Sequence, residues 1–403
     1  MIRHAVFDSV GERPGVDSAH RATPSPTNRG GKPMNHPRMR GGLQNPTSPS
    51  HWRRPGTQVA LAALAVLVAL IGTVLPGSPA GASGQHSGPE VEGLAGPLSI
   101  DVTHRGDVLV GQGFAGLVSS VSRKGAVTDL VNEPGVSAVG EGPFGTVIYT
   151  VATEEGESLL KMRTHKGATR VIADLGAHEA KRNPDAHQTY GAVGISDECA
   201  AQWPVEEAGP PVYTGIVESN PYSLAVTPWG VYVADAAANA IVLAEWSGRV
   251  RTAVVLPPQP LVIPDDPGAI GLPDCAAGLT FNFEPVPTDI ELSWRGAYAT
   301  LLPGGPEDPS LGARGSVVKL DLLRGRSRPV AGGLFAATDL AVSPSGDIYV
   351  TELFGGAVTR IDRRGVRSTV AELPLPAAVE WSAGRLYVAY DVFGSGKLTT
   401  LRP

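Results

Sequence analysis

Two aspartates occupy matching places in two similar stretches of this 403-residue chain, Asp289 in Pro-Thr-Asp-Ile and Asp339 in Ala-Thr-Asp-Leu. Two carboxylates brought together could hold Ca²⁺ or work as an acid–base pair. Alternatively, each aspartate caps a strand or accepts a hydrogen bond from a turn N–H group. Glu380 lies in a third stretch of the same kind, so it is a further candidate for ligand contact.

Asn220 and Tyr222 stand on either side of Pro221, immediately before an apolar run. Their side chains could hydrogen-bond a ligand. Alternatively, Asn220 begins a turn, because a residue before proline prefers an extended conformation. The sequence has no nucleophile elbow, no phosphate-binding glycine loop before a helix and no Cys/His cluster suited to zinc. It therefore predicts a ligand site with no assigned catalytic residue or metal ligand.

These residues belong to a strand–turn–strand pattern that occurs six times. Each copy has a short first strand, a glycine-containing turn and a β-branched or aromatic second strand, and most copies continue into a third and fourth strand. The second strands begin at Val108, Val147, Val231, Ala297, Ile348 and Leu386. Their separations run from 38 residues (Ile348 to Leu386) to 84 residues (Val147 to Val231). The short values match one four-stranded propeller blade of roughly 40–50 residues.

The pattern predicts an all-β fold, a six-bladed β-propeller of four-stranded antiparallel blades, because a blade cannot bury both faces alone. An open β-sandwich with accidental self-similarity is the alternative. In the propeller the first strands line a central channel, and the ligand candidates would lie at its mouth. Aligning the first strands gives one column of side chains: Ser99, Ser137, Ser223, Asp289, Asp339 and Ala378.

Two local sequences are more specific than the repeat, Glu179-Ala-Lys-Arg-Asn-Pro-Asp and Glu218-Ser-Asn-Pro-Tyr. With them, the chain from about Val91 to its end resembles the ScyD/ScyE family of secreted proteins. Its repeats resemble NHL-type propeller repeats, as in the run Asp-Leu-Ala-Val-Ser-Pro-Ser-Gly-Asp-Ile-Tyr-Val that starts at Asp339. The resemblance implies a propeller fold and a secreted location, and it implies no established catalytic residue.

The sixth copy ends after its third strand, at 396–401, with two residues to follow. The segment 89–94 resembles the fourth strands of earlier copies. We therefore predict that it pairs with 396–401 and completes the last blade, with Val91 opposite residues near Thr399. This pairing would close the ring and cover an exposed edge strand.

The chain before residue 83 differs in composition from the rest. Residues 1–56 are rich in Pro, Gly, Ser and Arg without apolar periodicity, which predicts a disordered basic extension, with Met34 or Met39 as alternative starts. Residues 57–82 contain an apolar run, 59–75, that follows two arginines and precedes an Ala-Gly-Ala site. This order predicts a signal peptide or, if it is uncleaved, a single membrane anchor.

Residues 83–403 are predicted to form the propeller, with insertions at about 176–219 and 257–287 where the copies are far apart. Cys199 and Cys275 fall one in each insertion. In an exported protein two cysteines are expected to form one disulfide, and two free thiols are the alternative.

The net charge of the chain indicates which classes of partner are unfavourable. The chain has 33 basic and 39 acidic residues, of which nine and three precede residue 83, so the remainder holds 24 and 36, a net charge of −12. This balance argues against nucleic acid or an anionic lipid surface as the partner. We expect a secreted or surface-anchored monomer that binds a protein, glycan or small molecule. It would touch membrane only through 59–75, if that segment is retained.

Two functions fit these features. The first is a secreted or cell-surface, non-catalytic β-propeller that acts as a ligand-binding or interaction module without a cofactor. The second is a calcium-dependent lactonase-type hydrolase with six blades. It would need side chains of different blades to converge on one ion, and the candidates are Asn220, Asp289, Asp339 and Glu380. The missing catalytic constellation favours the first function, since a fold shared with enzymes is analogy alone.

Overall fold

Strands dominate the computed structural model, which describes residues 85–153, 156–305 and 309–403. The predicted basic extension (1–56) and the signal or anchor segment (57–82) lie outside the described residues. Within those residues, no helix is long and apolar enough to cross a membrane.

The described chain begins with two short strands, β1 (Gln85–His86) and β2 (Val91–Glu92). Five four-stranded antiparallel sheets then use strands that are consecutive within each sheet. Sheet 1 contains β3 (Pro97–Val102), β4 (Val108–Gln112), β5 (Leu117–Val121) and β6 (Val127–Asn132), and sheet 2 contains β7 (Val136–Glu141), β8 (Val147–Ala152), β9 (Ser158–Arg163) and β10 (Thr169–Asp174). Sheet 3 contains β13 (Pro221–Thr227), β14 (Gly230–Asp235), β15 (Ala240–Glu245) and β16 (Val250–Val255), and sheet 4 contains β19 (Glu291–Ser293), β20 (Gly296–Leu301), β21 (Gly315–Asp321) and β22 (Arg326–Leu334). Sheet 5 contains β23 (Ala337–Val342), β24 (Ile348–Glu352), β25 (Ala357–Ile361) and β26 (Arg367–Glu372). Sheet 6 contains β27 (Ala378–Ser382), β28 (Arg385–Tyr390) and β29 (Lys397–Arg402) together with β1 and β2.

The second strand of each of these sheets lies where the repeat predicted it. These strands are largely buried, and every residue of β4 and β14 is buried. A tight turn precedes each one. In sheet 5 the turn contains Gly346, which has φ of +89° and whose N–H donates to Ser343 O (2.8 Å). This left-handed conformation is unfavourable for L side chains, which explains the glycine of the repeat.

Apolar clusters fill the junctions between neighbouring sheets of the described residues. Ile148 and Val233 belong to the cluster between sheets 2 and 3. Corresponding clusters lie between sheets 1 and 2, 3 and 4, 4 and 5, and 5 and 6. A further cluster joins sheet 6 to sheet 1 through Val91, Ile100 and Ala389. Neighbouring first strands also contact one another, β27 and β3 included. The fold is all-β and β-propeller-like.

β2 pairs with β29, the two segments that the sequence predicted to pair. Val91 lies opposite Leu398, one residue from the predicted neighbourhood of Thr399. β1 also pairs with β29, with Gln85 opposite Arg402, and the sequence did not predict this second contact. The N-terminal segment is therefore held at two places along the outer edge of sheet 6.

The two insertions form a seventh sheet, which the sequence did not predict. Its strands are arranged in the order β12-β11-β18-β17, and we call it the insertion sheet. They are β11 (Thr189–Val193), β12 (Val212–Thr214), β17 (Gln259–Val262) and β18 (Thr280–Phe283). The helices of the described residues are α1 (Leu175–Arg182), α2 (Asp197–Ala200) and α3 (Val205–Ala208). These residues also contain 3₁₀ turns at Pro143–Gly145, Pro267–Ile270, Asp274–Ala276 and Pro309–Leu311. Strands this short carry too little periodicity to be recognised in a sequence.

The predicted disulfide is confirmed. Cys199 and Cys275 are bonded (Sγ–Sγ 2.03 Å) and connect the two insertions across a separation of 76 residues. Trp203, Ile263 and Ala276 belong to a small apolar cluster in the same region. The insertion sheet therefore has its own apolar core and its own covalent link.

Candidate functional site

The first strands of sheets 1 to 6 surround a cavity of about 310 Å³. Six carboxylates line it. One of them, Glu141, contacts His104 (Nδ1–Oε1 2.5 Å). We call the other five the channel carboxylates: Asp101, Asp289, Glu291, Asp339 and Glu380. No lysine or arginine is among the described residues that line this cavity. The site is therefore strongly acidic and has no built-in counter-charge.

Asp289 and Asp339 each bind the backbone of the next sheet. Asp289 Oδ2 accepts a hydrogen bond from Leu340 N (3.2 Å), and Asp339 Oδ2 accepts one from Val379 N (3.1 Å). Ser223 Oγ donates to Asp289 Oδ1 (2.6 Å). The two carboxyl groups lie close enough for each to affect the pKa of the other. The backbone donors are N–H groups of neighbouring first strands, and not the turn N–H groups considered from the sequence.

Sheet 1 is joined to sheet 2 in the same way. Ser99 Oγ accepts a hydrogen bond from Val139 N (3.1 Å), and Asp101 Oδ2 accepts one from Glu141 N. These side chains therefore hold a junction between sheets while they line the cavity. A buried backbone N–H group needs an acceptor, and the carboxylates supply it.

Burial raises the pKa of every channel carboxylate. It raises the pKa of Asp289 to about 6 and, with the charge of Asp289 as the next cause, the pKa of Glu291 to about 8. Burial followed by the charge of Asp289 raises the pKa of Asp339 well above its usual range. Burial, and after it the charge of Glu291, raises the pKa of Glu380 well above its usual range. Burial is also the largest cause that raises the pKa of Asp101. The cavity therefore retains protons near neutral pH unless a cation replaces them.

The structure brings Asp289, Asp339 and Glu380 to the same cavity. Asn220 is not among the residues that line it, and its backbone N–H donates to Asp235 Oδ1 (2.7 Å). Tyr222 does not line the cavity either. It lies close enough to the aspartate pair to be affected by its charge: burial, and after it the charges of Asp339 and Asp289, raise the pKa of Tyr222.

The predicted column of channel residues contains one error of register. Ala138, and not Ser137, lies beside Thr150 in the way that Asp339 lies opposite Thr351 in sheet 5. A bulge interrupts β7 between Val136 and Val139, but the same irregularity occurs in β3, β13 and β23. The bulge therefore does not explain the error, which is a misalignment of the first strand by one residue.

Asp101 and Glu291 line the cavity but were not predicted. Each lies two residues after a member of the predicted column, Ser99 and Asp289 respectively. Side chains two apart on a strand share a face. Extending the column by this alternation is the signal that could have found both residues.

The lactonase alternative needs side chains of different sheets to converge on one ion. Asp289, Asp339 and Glu380 line one cavity, whereas Asn220 is not among the lining residues. Among the described residues, no group of three or more His, Cys, Asp or Glu is placed to hold a metal ion.

Exposed aromatic side chains stand at one end of the cavity. Phe144, Trp229 and Trp294, which we call the aromatic rim, follow the first strands of sheets 2, 3 and 4 and are 98%, 58% and 71% exposed. Phe144 lines an open depression that shares Glu141 and Val226 with the cavity. Aromatic faces attract cations, and the Arg295 guanidinium already lies over the Trp294 ring (4.3 Å to the centroid), while Arg105 lines the depression beside Phe144.

No protein-family model matches the chain, and no curated protein matches it. Among solved structures it is similar to a gluconolactonase from Xanthomonas campestris (10% identity, 82% of this chain and 99% of that chain, TM-score 0.49). It is also similar to virginiamycin B lyase from Staphylococcus aureus (13%, 78% and 98%, TM-score 0.45). A third similar structure is the PQQ-bound aldose sugar dehydrogenase from Streptomyces coelicolor (13%, 79% and 99%, TM-score 0.44). Likenesses this distant carry no inference about activity.

Proposed function

We propose that this chain is a six-bladed β-propeller whose ring is closed by its own N-terminal segment. Sheets 1 to 6 are its blades. The apolar cluster that joins sheet 6 to sheet 1 supports closure, as do the contacts between β27 and β3. The pairing of β2 with β29 supports the role of the N-terminal segment. The insertion sheet is then an addition to the ring.

The proposed activity is non-catalytic binding of a ligand that carries a positively charged amine. The observation that carries this proposal is the set of five channel carboxylates without a basic partner. An ammonium group brings three N–H donors and a positive charge, so it can replace the retained protons and remove the repulsion between carboxylates. A polyamine, an amino sugar and a lysine side chain of a protein share this chemistry.

The aromatic rim supports entry of the ligand from its end of the cavity. Three large aromatic side chains in equivalent turns of consecutive sheets are costly to leave in water. A ligand with an apolar stem and a charged amine would contact the rim with the stem and the channel with the amine. This arrangement would give both affinity and a fixed orientation.

The protein is proposed to act outside the cytoplasm. The disulfide between Cys199 and Cys275 supports this location, because disulfides persist in oxidising compartments. The resemblance to the secreted ScyD/ScyE proteins agrees with it.

A thermal-shift comparison of matched ligands tests the proposed function. Spermidine and glucosamine should raise Tm, whereas glucose and glucuronate, which lack the amine, should leave it unchanged. Calcium chloride forms a separate arm, in which a rise in Tm that Glu291→Gln/Glu380→Gln loses would show a metal ion, and not an amine, in the channel. Stabilisation by glucuronate, or by none of the amines, would contradict the proposal.

A hydrolase is the second candidate, because Asp289 and Asp339 lie close enough for each to affect the pKa of the other. Unequal environments separate the pKa values of such a pair, which is what a proton donor and a proton acceptor require. Hydrolysis of glucono-δ-lactone, followed by proton release with and without calcium chloride, distinguishes the two candidates. Turnover that is lost in Asp339→Asn would favour the hydrolase, and no turnover by the wild type favours the binding module.

A further inference from the structure

The two sequence motifs that are most specific to this chain meet at a place separate from the channel. α1 ends at Asn183, which adopts a left-handed backbone conformation (φ +37°) that asparagine tolerates better than most residues. The motif 179–185 therefore spans the last turn of the helix and the reversal after it. The second motif begins at Glu218, whose backbone N–H group lies close enough to the Glu179 carboxyl group to favour its ionised form.

Three acceptor oxygens of the first motif have no hydrogen-bond partner among the described residues. They are Glu179 Oε1, Asn183 Oδ1 and Asp185 Oδ1. Glu179 and Asp185 are only 2% and 1% exposed. A buried acceptor without a donor is strongly unfavourable, and more so when it carries charge. Three such oxygens close together in sequence favour the binding of a donor or a cation beside them.

The remaining polar atoms of these side chains are well bonded. Tyr190 Oη and Asn239 Nδ2 both donate to Asp185 Oδ2 at 2.9 Å. The amide nitrogen of Asn183 donates to Gly215 O (2.9 Å). These contacts hold the side chains of Asn183 and Asp185 in place. Glu179 Oε1, Asn183 Oδ1 and Asp185 Oδ1 remain as acceptors without a donor among the described residues.

Gly215 allows Asp185 to come close, because a Cβ atom on Gly215 would lie 2.0 Å from Asp185 Oδ1. Glu179 lies near enough to Asp185 and Asp235 for their charges to oppose its ionisation. No lysine or arginine is among the described groups that act on Glu179, Asp185 or Asp235. The positive charge that would balance these carboxylates does not come from the described protein.

We propose that Glu179, Asn183 and Asp185 bind a calcium ion. Two carboxylate oxygens and one amide oxygen are the hard ligands that Ca²⁺ takes, and water completes the coordination. Because one ligand is an amide, this site differs from a cluster of three carboxylates. The ion would tie the end of α1 to the segment 215–218, and so the first insertion to sheet 3.

Calcium titration of metal-stripped protein tests this site. The wild type should bind one calcium ion here, and saturating calcium should raise Tm by about 5 °C. Glu179→Gln/Asp185→Asn should lose this rise. Glu206→Gln/Asp274→Asn is the matched control, because it makes the same two changes at exposed positions of the insertions, and it should keep the rise.

A channel variant separates this site from the proposed function. Glu291→Gln/Glu380→Gln should lose amine binding and keep the calcium response. If Glu179→Gln/Asp185→Asn does not fold, a wild-type crystal is soaked with Tb³⁺ and its anomalous map is calculated. A peak beside Glu179 and Asp185 would support the site, and no peak there would contradict it. A wild type without calcium response, or a folded double variant that retains it, would overturn the proposal and leave a protonated Glu179 as the explanation.

Discussion

Single residues of the channel work against the stability of the folded protein near neutral pH. Burial raises the pKa of Asp289 to about 6 and that of Glu291 to about 8, whereas in the unfolded chain such groups ionise near pH 4. The folded protein therefore binds more protons than the unfolded chain between about pH 4 and pH 8. By linkage, the free energy of unfolding falls as the pH rises through this window.

We predict this fall for the ligand-free protein. Urea unfolding at a series of pH values should show a decrease between about pH 4.5 and pH 8, with up to about 1.4 kcal/mol per pH unit from each such carboxyl. Spermidine should reduce the slope because it favours the ionised carboxylates. Stability that is constant or that rises over this range would show that the cavity does not impose the expected cost.

Removing one channel charge should reverse part of this cost. Glu380→Gln keeps the shape of the side chain and removes its negative charge, so at pH 8 the free energy of unfolding should rise by about 1–2 kcal/mol. At pH 4 the wild-type carboxyl is already protonated, and the difference should vanish. Glu206→Gln, at an exposed position, is the control and should have no effect at either pH. A rise in the free energy of unfolding that is equal at pH 4 and pH 8 would show that better packing, and not the loss of charge, stabilises the variant.

Sequence reasoning found the channel where the repeat marks it. Asp289 and Asp339 stand in equivalent contexts, so their common place follows from the alignment. Alternation along the strand would have added Glu291. By contrast, Glu179 and Asp185 gain their partners from chain reversal at Asn183 and from segments far away in sequence, which no periodicity encodes.

At the scale of elements, the segment that holds β1 and β2 carries a prediction of its own. Deleting residues 84–95 removes Val91 and Leu94, which are 8% and 2% exposed, and uncovers the edge of β29. The free energy of unfolding should fall by several kcal/mol. A deletion of the same length within 1–56 is the control, and chemical denaturation is the measurement. A deletion variant as stable as its parent would contradict closure by this segment.

The disulfide should stabilise the insertion sheet more than the six other sheets. Loop-closure entropy for a separation of 76 residues is worth roughly 4–4.5 kcal/mol before strain. In Cys199→Ser/Cys275→Ser, amide exchange should accelerate in β11 and β18 and remain slow in β14 and β24. Wild type treated with a reductant provides the matched comparison. Equal acceleration in all strands would show that the insertion sheet unfolds together with the rest.

The elements that repeat along the chain could be predicted from the sequence, and those that occur once could not. The six second strands share a glycine turn and a β-branched run, so their phase was visible in the sequence. The insertion sheet pairs strands from two distant insertions, and β12 has only three residues. Pairing between distant, short strands depends on tertiary contacts, which is why this sheet could not be predicted.

At the scale of the whole molecule, the proposed ring explains why charge can gather at its centre. Each junction between neighbouring sheets has its own apolar cluster, so the first strands are held independently of the cavity between them. The cavity can then carry charged side chains at a tolerable cost in stability. This division between a stable scaffold and a destabilising site is typical of functional sites.

Isothermal titration of spermidine into the protein at pH 8 tests the central claim most directly. The wild type should bind with measurable affinity, Glu291→Gln/Glu380→Gln should bind at least about tenfold more weakly, and the exposed control Glu206→Gln/Glu207→Gln should match the wild type. Both glutamates of the channel variant line the cavity. The Val342 N–H group of sheet 5 lies close enough to Glu291 to favour its ionised form, and a glutamine side chain keeps an oxygen that can accept from this N–H group. Equal affinities in all three proteins, or no binding by the wild type, would contradict an amine-binding channel.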